Sequence, residues 1–334
     1  MLIQSTRKRI STLVLLAAAL LMPVFFRNYN YGISILCFIA LYVIAVSGLD
    51  IVYGYCGQIS LGHVAYFAIG AYGSAMLHQY TGIPIVLCMI IASILGAAIG
   101  ALIAYPASKL VFHFLSLATM SFGEIMHQFV AHSPGRITGN SVGLFTDSIS
   151  FFGFELSTYT RFYYFALICV VIFLTAKVAL INSRTGRAFI AIRENAHAAN
   201  GMGVNVTKYK VIAFATSAFY TAFAGAMYVH LVRYISPDTI VYKQSVMFLT
   251  MLLFGGAGSL YGPICGAIAI SVINESLRAI ENYQMFAYGI ILLVVILALP
   301  GGIYGEARAL VLRIQAKRRM KADAVKEEHA NVKG

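Results

Sequence analysis

Long apolar runs separated by short polar connections make up most of the chain. A helix needs roughly 20 residues to cross the hydrocarbon core of a bilayer, and most of the runs approach or exceed that length. The runs cover residues 10–26, 32–49, 61–77, 83–105, 110–131, 162–181, 211–232, 246–254, 261–273 and 286–299. The pattern predicts an all-α polytopic membrane protein with about 8–10 transmembrane helices.

Glycine interrupts the apolar pattern near the C-terminal end. Runs 246–254 and 261–273 are each too short to span alone, and between them lies Gly255-Gly256-Ala257-Gly258-Ser259. Glycine weakens a helix and often marks a break in it. We expect glycine-broken segments here, either as two crossings or as a re-entrant hairpin.

The composition excludes a soluble protein. Hydrophobic residues form 60% of the 334 residues, charged residues only 11%, and the mean hydropathy is +0.81. A soluble domain carries about 25% charged residues, so this chain lacks the charge to cover a water-facing surface. The apolar excess must therefore face lipid.

The distribution of basic residues predicts the orientation. Lys and Arg number 24 against 12 acidic residues, and 16 of the 24 lie in residues 1–9, 182–210 and 306–334. Such clustering follows the positive-inside rule and does not indicate nucleic-acid binding. We expect both termini and residues 182–210 to be cytoplasmic, with a single transmembrane domain over 1–305 and a basic cytoplasmic tail over 306–334.

No catalytic or metal-binding constellation is present in the sequence. The glycine clusters have no Lys-Ser/Thr behind them, so the chain lacks a phosphate-binding loop for ATP. The five cysteines are scattered singly, and no two of the eight histidines have a metal-ligand spacing and context. We expect a transport subunit that is not an enzyme and holds no cofactor.

The connection 182–210 contains an amphipathic helical pattern. Its apolar stripe is Phe189, Ile192, Ala196 and Ala199, at three- and four-residue spacing. Arg184, Arg187, Arg193 and Glu194 border the stripe. A short helix of this kind lies flat on a membrane or docks into a groove of a partner, and spacing alone leaves both interpretations open.

Four motifs occur in order along the chain and are more specific than apolar patterning. They are Gly57-Gln58-Ile59-Ser60-Leu61-Gly62-His63, Phe122-Gly123-Glu124-Ile125 with Thr138-Gly139-Asn140, Ser183-Arg184-Thr185-Gly186-Arg187-Ala188-Phe189 through Gly203-Val204, and Phe254-Gly255-Gly256-Ala257-Gly258-Ser259-Leu260. Together they resemble the branched-chain amino acid ABC importer permease family, and in particular its LivM-type inner-membrane subunit, over about Gly48 to Gly305. Asn140 departs from the family's usual second glycine, so the external loop or the substrate preference is in question there.

The resemblance implies half of an importer. Its expected partners are a second related permease subunit, two cytoplasmic ATPase subunits, a periplasmic substrate-binding protein and membrane lipid. The amphipathic segment then becomes the coupling helix that seats in a groove of the ATPase. The ATPase-coupling residues implied are Arg184, Gly186, Arg187, Ala188, Arg193, Glu194, Ala198 and Gly203.

Two glycine motifs and one acid are candidates for the substrate path. Gly57, Gln58 and Ser60 share the pattern Gly-x-x-Ser-Leu with Gly256, Gly258 and Ser259, which indicates an internal duplication. Close helix packing is the alternative explanation, and the pairs Gly96/Gly100 and Gly262/Gly266 favour it. Glu124 lies inside an apolar run and is expected to face the interior, either as a hydrogen-bond partner of Thr119 or Ser121 or as a group that handles the cargo. Asp50 lies at the end of an apolar run, and its side chain is expected to extend to the membrane–water interface.

The leading hypothesis is an ABC-importer permease for branched-chain or related small amino acids in the bacterial inner membrane. An ion-coupled secondary amino-acid transporter is the alternative, although it needs intramembrane carboxylates and Glu124 alone is a thin basis. A passive channel would need rings of polar residues, which the sequence lacks. The sequence does not distinguish leucine, isoleucine and valine from urea, amides or other amino acids.

Overall fold

The computed structural model describes residues 17–23, 30–108, 112–151, 154–156, 158–278, 286, 289–290, 293 and 301–306. Most of the apolar runs 10–26 and 286–299 and nearly all of the basic tail lie outside these residues. The described residues fall into two compact units, Met1–Leu249 and Thr250–Gly334. The boundary lies within a helix, and the predicted single domain over 1–305 stays a prediction.

Helices account for most of the described chain, which confirms the predicted all-α polytopic fold. They are α1 (Asn30–Asp50), α2 (His63–Thr81), α3 (Ile85–Ala107), α4 (Phe112–Ala131), α5 (Tyr159–Asn182), α6 (Arg184–Glu194), α7 (Ala196–Gly201), α8 (Val206–Val232), α9 (Tyr242–Gly255) and α10 (Gly262–Leu277). Four two-residue strands, β1 (Leu144–Phe145), β2 (Ser150–Phe151), β3 (Phe154–Glu155) and β4 (Tyr234–Ile235), form the pairs β1–β4 and β2–β3.

Four segments of the described chain are long and apolar enough to cross a membrane. They are Asn30–Tyr55, Ile85–Ala107, Tyr159–Asn182 and Val206–Val232. The first of them joins α1 to a π-helical turn, Ile51–Tyr55, that continues it directly. The total of 8–10 crossings stays a prediction.

Small residues allow α8 to pack closely against its neighbours in the first unit. A Cβ atom added at Gly96 would lie 2.7 Å from Ala222 Cβ, and one added at Gly100 would lie 2.6 Å from Ala218 Cβ. Helices approach this closely where both faces carry Gly or Ala. The predicted close packing at the Gly96/Gly100 pair is therefore confirmed.

The same explanation holds in the second unit. Gly255 lies against the carbonyl of Gly262, and Gly266 lies against the carbonyl of Met251. The end of α9 and the start of α10 thus pack backbone to backbone across the break at 256–261. The predicted break between runs 246–254 and 261–273 is present.

Connections within the first unit cluster at two opposite ends of the helices. At one end Lys210 Nζ donates to the Ser108 carbonyl at 3.2 Å. At the other end Leu144 pairs with Ile235 between β1 and β4, and His230 Nδ1 lies 2.9 Å from the Asp147 carbonyl oxygen. Contacts at the two ends agree with the order of crossings expected from the charge distribution. Which of the two ends faces the cytoplasm stays a prediction.

Candidate functional site

The first glycine motif forms the turn that separates α1 from α2. We call residues 56–62 the Gly57 turn. Gly57 has φ +69°, in the left-handed region that glycine occupies at little cost. The Gln58 side chain folds back on this turn, with Nε2 3.3 Å from the Gly57 carbonyl oxygen. The chain can therefore reverse within a few residues and begin α2 at His63.

Hydroxyl groups from two other helices hold the start of α2. Thr119 Oγ1 of α4 accepts from the Leu61 backbone N–H at 3.1 Å, and Ser245 Oγ of α9 accepts from the Val64 N–H at 2.9 Å. The first N–H groups of a helix have no partner within it, and Ser245 satisfies one of them, whereas Thr119 holds the residue just before the N-cap Gly62. Ser60, only 1% exposed, makes no hydrogen bond through Oγ in the described residues.

The second glycine motif has a matching local geometry in its own unit. Residues 256–261, the Gly256 turn, follow the end of α9, and Gly256 has φ +102° and Gly258 φ +76°. Ser259 Oγ donates to the Gly256 carbonyl at 3.0 Å and accepts from the Gly262 N–H at 2.9 Å.

The two turns therefore share a plan. In both, α2 or α10 begins six residues after the first left-handed glycine. This parallel supports the duplication that the shared Gly-x-x-Ser-Leu pattern indicates. The turns differ in the hydroxyl that holds the helix start, because Ser259 of the turn itself accepts from the first N–H of α10, whereas Ser245 of α9 accepts from the Val64 N–H of α2.

The amphipathic part of the connection 182–210, which we call the coupling segment, consists of two helices, α6 and α7, where the sequence predicted one. Asn195 has extended backbone (φ −159°, ψ 107°), and its Oδ1 accepts from the N–H groups of His197 and Ala198, each at 3.0 Å. Asn side chains compete with the helix for backbone donors and so start a new helix. As a result, helix α6 ends at Glu194 and helix α7 begins at Ala196.

The apolar stripe of the coupling segment faces its own chain. Phe189 is fully buried, and Ala188, Ile192 and Ala199 are each at most 8% exposed. Gly186 lies against the Ile181 carbonyl at the corner between α5 and α6. The surface left for a partner is the opposite one, which contains the exposed residues Arg184, Arg187, Ile190, Glu194, Ala198, Met202 and Gly203. Ala188 and Gly186, two of the predicted coupling residues, thus hold the segment in place within this chain.

Arg193 joins the coupling segment to the Gly57 turn. Its Nη1 donates to the carbonyl of Gly54 in the π-helical turn. A Cβ atom added at Gly57 would lie 2.9 Å from Arg193 Cγ. A predicted coupling residue and a predicted path residue are therefore in direct contact, so the absence of a side chain at Gly57 is needed for α6 to lie there.

Glu124 lies on an open face of α4 rather than in a closed interior. Its side chain is 59% exposed, and Oε1 accepts from Gln128 Nε2 at 2.8 Å and lies 3.7 Å from His127 Nδ1. The hydrogen-bond partners expected from the sequence, Thr119 and Ser121, are not its partners. Thr119 instead contacts Ser116 and the Gly57 turn, as its position on the opposite face requires.

A pocket of about 240 Å³ adjoins Glu124. Its walls are mostly apolar and are formed by Val64, Leu117, Met120, Ser121, Gly123, Glu124 and Tyr242. This volume equals about eight water molecules in the liquid. The pocket therefore offers one carboxylate to a small solute with an apolar body, and it lies beside Val64 at the start of α2.

Asn140, which departs from the family's usual glycine, has a left-handed backbone conformation. Its φ is +50°, and the nearby Gly139 and Gly143 have φ +74° and +79°. Asn tolerates the left-handed region better than most other residues with a side chain. The Asn140 side chain places an Oδ1 atom that is buried without a hydrogen bond in the described residues.

Sequence reasoning missed the buried ion pair of the first unit. Lys177 Nζ of α5 lies 2.7 Å from Asp50 Oδ2 at the end of α1, and the two side chains are 1% and 0% exposed. The expectation that Asp50 reaches the interface is wrong, because Lys177 neutralises it inside the bundle. A lysine within apolar run 162–181 was the available signal, since a lone charge at that depth needs a partner.

Comparison with known proteins places the chain among transport permeases. A family model described as "Branched-chain amino acid transport system / permease component" matches residues 31–299. The high-affinity branched-chain amino acid transport system permease protein LivM of Salmonella typhimurium is 28% identical over 328 residues, which is 91% of this chain and 76% of that protein. LivM of Escherichia coli K12 gives the same identity and coverage.

A sugar permease is similar as well. The ribose import permease protein RbsC of Haemophilus influenzae is 27% identical over 276 residues, 77% of this chain and 78% of its own length. No solved structure gives a significant match.

Proposed function

The chain belongs to the branched-chain amino acid transport permease family, and on that premise we propose that it is a membrane-spanning subunit of an ABC importer. It carries branched-chain or related small amino acids into the cell. ATP hydrolysis by two partner ATPases drives the transport, a second related permease subunit completes the pathway, and a periplasmic binding protein delivers the solute. The chain sits in the bacterial inner membrane with both termini in the cytoplasm.

One observation carries this proposal. The segment α6–α7 is fixed to its own chain by its apolar stripe and presents an opposite surface with both charged and apolar groups. Ile190 is 42% exposed and Met202 is 86% exposed within this charged surface. Apolar side chains ringed by charge are typical of a protein-binding site. An ATPase groove is the partner that the family's transport mechanism requires.

The pocket beside Glu124 supports an amino acid as the cargo. A carboxylate at the rim suits the ammonium group, and the apolar walls suit an aliphatic side chain. A sugar would instead need several hydrogen-bonding groups around its hydroxyls, and the pocket lining provides few. Each glycine turn, with Gly57, Gln58 and Ser60 in the first unit and Gly256, Gly258 and Ser259 in the second, is non-helical backbone between apolar helices of its own unit, and backbone of this kind is tolerated at membrane depth where it is buried in protein or lines a cavity.

Isolation of the complex tests the proposal. The chain carries an affinity tag in its native cell, is extracted in mild detergent and is purified, and its partners are identified by mass spectrometry. We expect an ATPase and a second permease subunit in stoichiometric amounts. Recovery of this chain without an ATPase, together with leucine uptake that an ion gradient alone drives, would support the ion-coupled alternative.

A further inference from the structure

The buried ion pair is costly for a membrane helix bundle. Asp50 and Lys177 lie 127 positions apart and meet at 2.7 Å with almost no exposure. Each is five residues from the end of its helical segment, Tyr55 for the first and Asn182 for the second. A buried ion pair is often no more stabilising than two apolar residues of the same size. The pair therefore invites an explanation other than stability.

A second contact lies close to the first along both segments. Lys177 is six residues before Ser183, whose Oγ accepts from the N–H groups of Thr185 and Gly186 and so starts α6. At the far end of α6, Arg193 donates to the Gly54 carbonyl. The α5–α6 hairpin thus contacts the end of the first transmembrane segment twice, at Asp50 and at Gly54.

The segment between those two contacts is a π-helix. Residues Ile51–Tyr55 have the wider π-helical turn, and Lys177 Nζ lies 5.7 Å from the centre of the Tyr55 ring. Single π-helical turns within α-helices occur frequently at functional sites, and they bend a helix. The turn is placed where a shift of α6 would act on it.

Hydrogen bonds continue from the π-helical turn toward the pocket. The Gln58 N–H donates to the Val52 carbonyl at 3.0 Å, which ties the Gly57 turn to the π-helix. The Leu61 N–H then donates to Thr119 on α4, five residues before Glu124. A contiguous set of contacts therefore connects α6 with the pocket, and such contacts can carry energetic coupling between distant sites.

We propose that Asp50, Lys177 and Arg193 are positioning residues that transmit movement of α6 to the Gly57 turn. This inference rests on the proposed function, because it takes the ATPase as the source of the movement. The ion pair keeps α5 and α1 together while the Arg193 contact displaces the π-helical turn. The three residues touch neither the cargo nor ATP.

Thiol labelling at the Gly57 turn tests the transmission. The purified complex carries Gln58→Cys in a chain whose own cysteines are replaced by serine or alanine. The rate of maleimide labelling is measured without nucleotide and after trapping with ATP and vanadate. In the otherwise unchanged chain we expect trapping to change the rate by about tenfold, within the usual range of coupling between linked sites.

Three variants and one control identify the residues responsible. Arg193→Met removes the contact with Gly54, and Asp50→Asn with Lys177→Met removes both buried charges without leaving either unpaired. The exchange Asp50→Lys with Lys177→Asp restores a pair of opposite charges. The control is Tyr234→Phe, because the Tyr234 hydroxyl also donates to a backbone carbonyl, that of Val142, but at the opposite end of the helices.

We expect the response to trapping to vanish in Arg193→Met and in the neutral pair, to persist in the exchanged pair and to be unchanged in Tyr234→Phe. Leucine taken up per ATP hydrolysed in proteoliposomes should fall in the same two variants. If the neutral pair is not recovered from the membrane, Arg193→Met decides alone, because Arg193 is exposed and its loss leaves no buried charge.

Failure of the inference is distinguishable from failure of the proposed function. A full response in Arg193→Met overturns the transmission role while ATP-driven uptake stands. A complex that responds to trapping but takes up no leucine corrects the cargo and leaves the transmission role supported. A chain that binds no ATPase overturns both.

Discussion

Glu124 occupies a position where a carboxylate can act on a solute without being needed for folding. Its side chain is 59% exposed, Oε1 accepts a hydrogen bond from Gln128 of its own helix, and His127 Nδ1 lies 3.7 Å away. An acid in an apolar helix is expected to face protein or water rather than lipid. The pocket beside Glu124 is consistent with that expectation.

Substitution of Glu124 separates a transport role from a structural one. We expect Glu124→Gln and Glu124→Ala to reach the membrane in normal amounts, because no buried group loses its partner. We expect ATP-driven leucine uptake to fall about tenfold or more in both, since a hydrogen bond to a charged group is worth about 1.5–3 kcal/mol. Uptake is measured at equal permease content.

Glu275→Gln is the matched control for this pair of variants. Glu275 is also an acid in an apolar helix, and its partner within reach is Arg278 at 4.0 Å, near the end of α10. Its loss should leave uptake unchanged. Normal uptake by Glu124→Ala would remove Glu124 from the substrate path.

The sequence reveals which charged residues lie in apolar runs but not which residues they contact. That Glu124 is an acid in an apolar run is visible in the sequence, as is the lysine in run 162–181. That Lys177 meets Asp50, and that Arg193 meets Gly54, depends on how α5 and α6 pack against α1. Such partners lie more than 120 positions apart, so no spacing rule identifies them.

At the scale of elements, the glycine turns explain why helices break at these places. Gly57, Gly256 and Gly258 all have positive φ. The break at Gly255–Gly258 followed from the sequence because the runs on either side are too short. The π-helical turn did not, since its residues Ile51–Tyr55 continue the apolar pattern without a visible signal.

Replacement of Gly57 by alanine should disturb the contact with α6. The left-handed conformation costs a residue with a side chain about 1–2 kcal/mol, and the added Cβ would also meet Arg193 Cγ at 2.9 Å. We expect Gly57→Ala to lower the thermal stability of the purified protein and to reduce the ATP hydrolysis that loaded binding protein stimulates.

Gly82→Ala isolates the cost of the backbone conformation. Gly82 has φ +66°, and no atom lies within 4 Å of an added Cβ. We expect Gly82→Ala to lower the thermal stability by a similar amount, through backbone strain alone. The ATP hydrolysis that loaded binding protein stimulates should be unchanged. Equal effects of the two substitutions on hydrolysis would show that the close approach of Arg193 to Gly57 has no role in coupling.

The coupling segment offers a separate test on its exposed surface. Ala198 is the third residue of α7 and is exposed, so a bulky side chain there points away from the core of this chain. We expect Ala198→Trp to reduce the ATPase recovered with the tagged chain by about tenfold, the effect of losing a good interface contact. The permease itself should be recovered in normal amount.

Val142→Trp serves as the control because Val142 is 74% exposed in the connection at the other end of the helices. It should leave ATPase recovery unchanged. The same substitution at Gly186 is expected to act differently, because Gly186 packs against the Ile181 carbonyl and a side chain would open the α5–α6 corner. Full ATPase recovery with Ala198→Trp would contradict docking at α7.

At the scale of the whole molecule, the charge distribution and the folded connections give one consistent topology. Two contacts, Arg193 with Gly54 and Lys210 with Ser108, join connections between helices. The predicted order of crossings puts these connections on one side of the membrane. The strand pair β1–β4 belongs to the other side. That the chain is all-α and polytopic was predictable from run lengths, whereas the packing of α8 against α1, α2 and α3 is visible only in the structure.

Cysteine labelling in intact cells checks this topology. In a chain without its own cysteines, Arg187→Cys should resist a membrane-impermeant maleimide added outside, and Val142→Cys should react. Both residues are exposed, so a difference between them reports sidedness. Permeabilised cells should label both. Ready reaction of Arg187→Cys in intact cells would reverse the orientation.

Uptake by the reconstituted complex tests the central claim most directly. Proteoliposomes contain the tagged chain with its co-purified partners, with ATP enclosed on the ATPase side and leucine-loaded binding protein on the other. We expect leucine accumulation that requires ATP, continues when ion gradients are collapsed, and is inhibited by valine and isoleucine but not by ribose. Accumulation without ATP, driven by a proton or sodium gradient, would contradict the ABC-importer function.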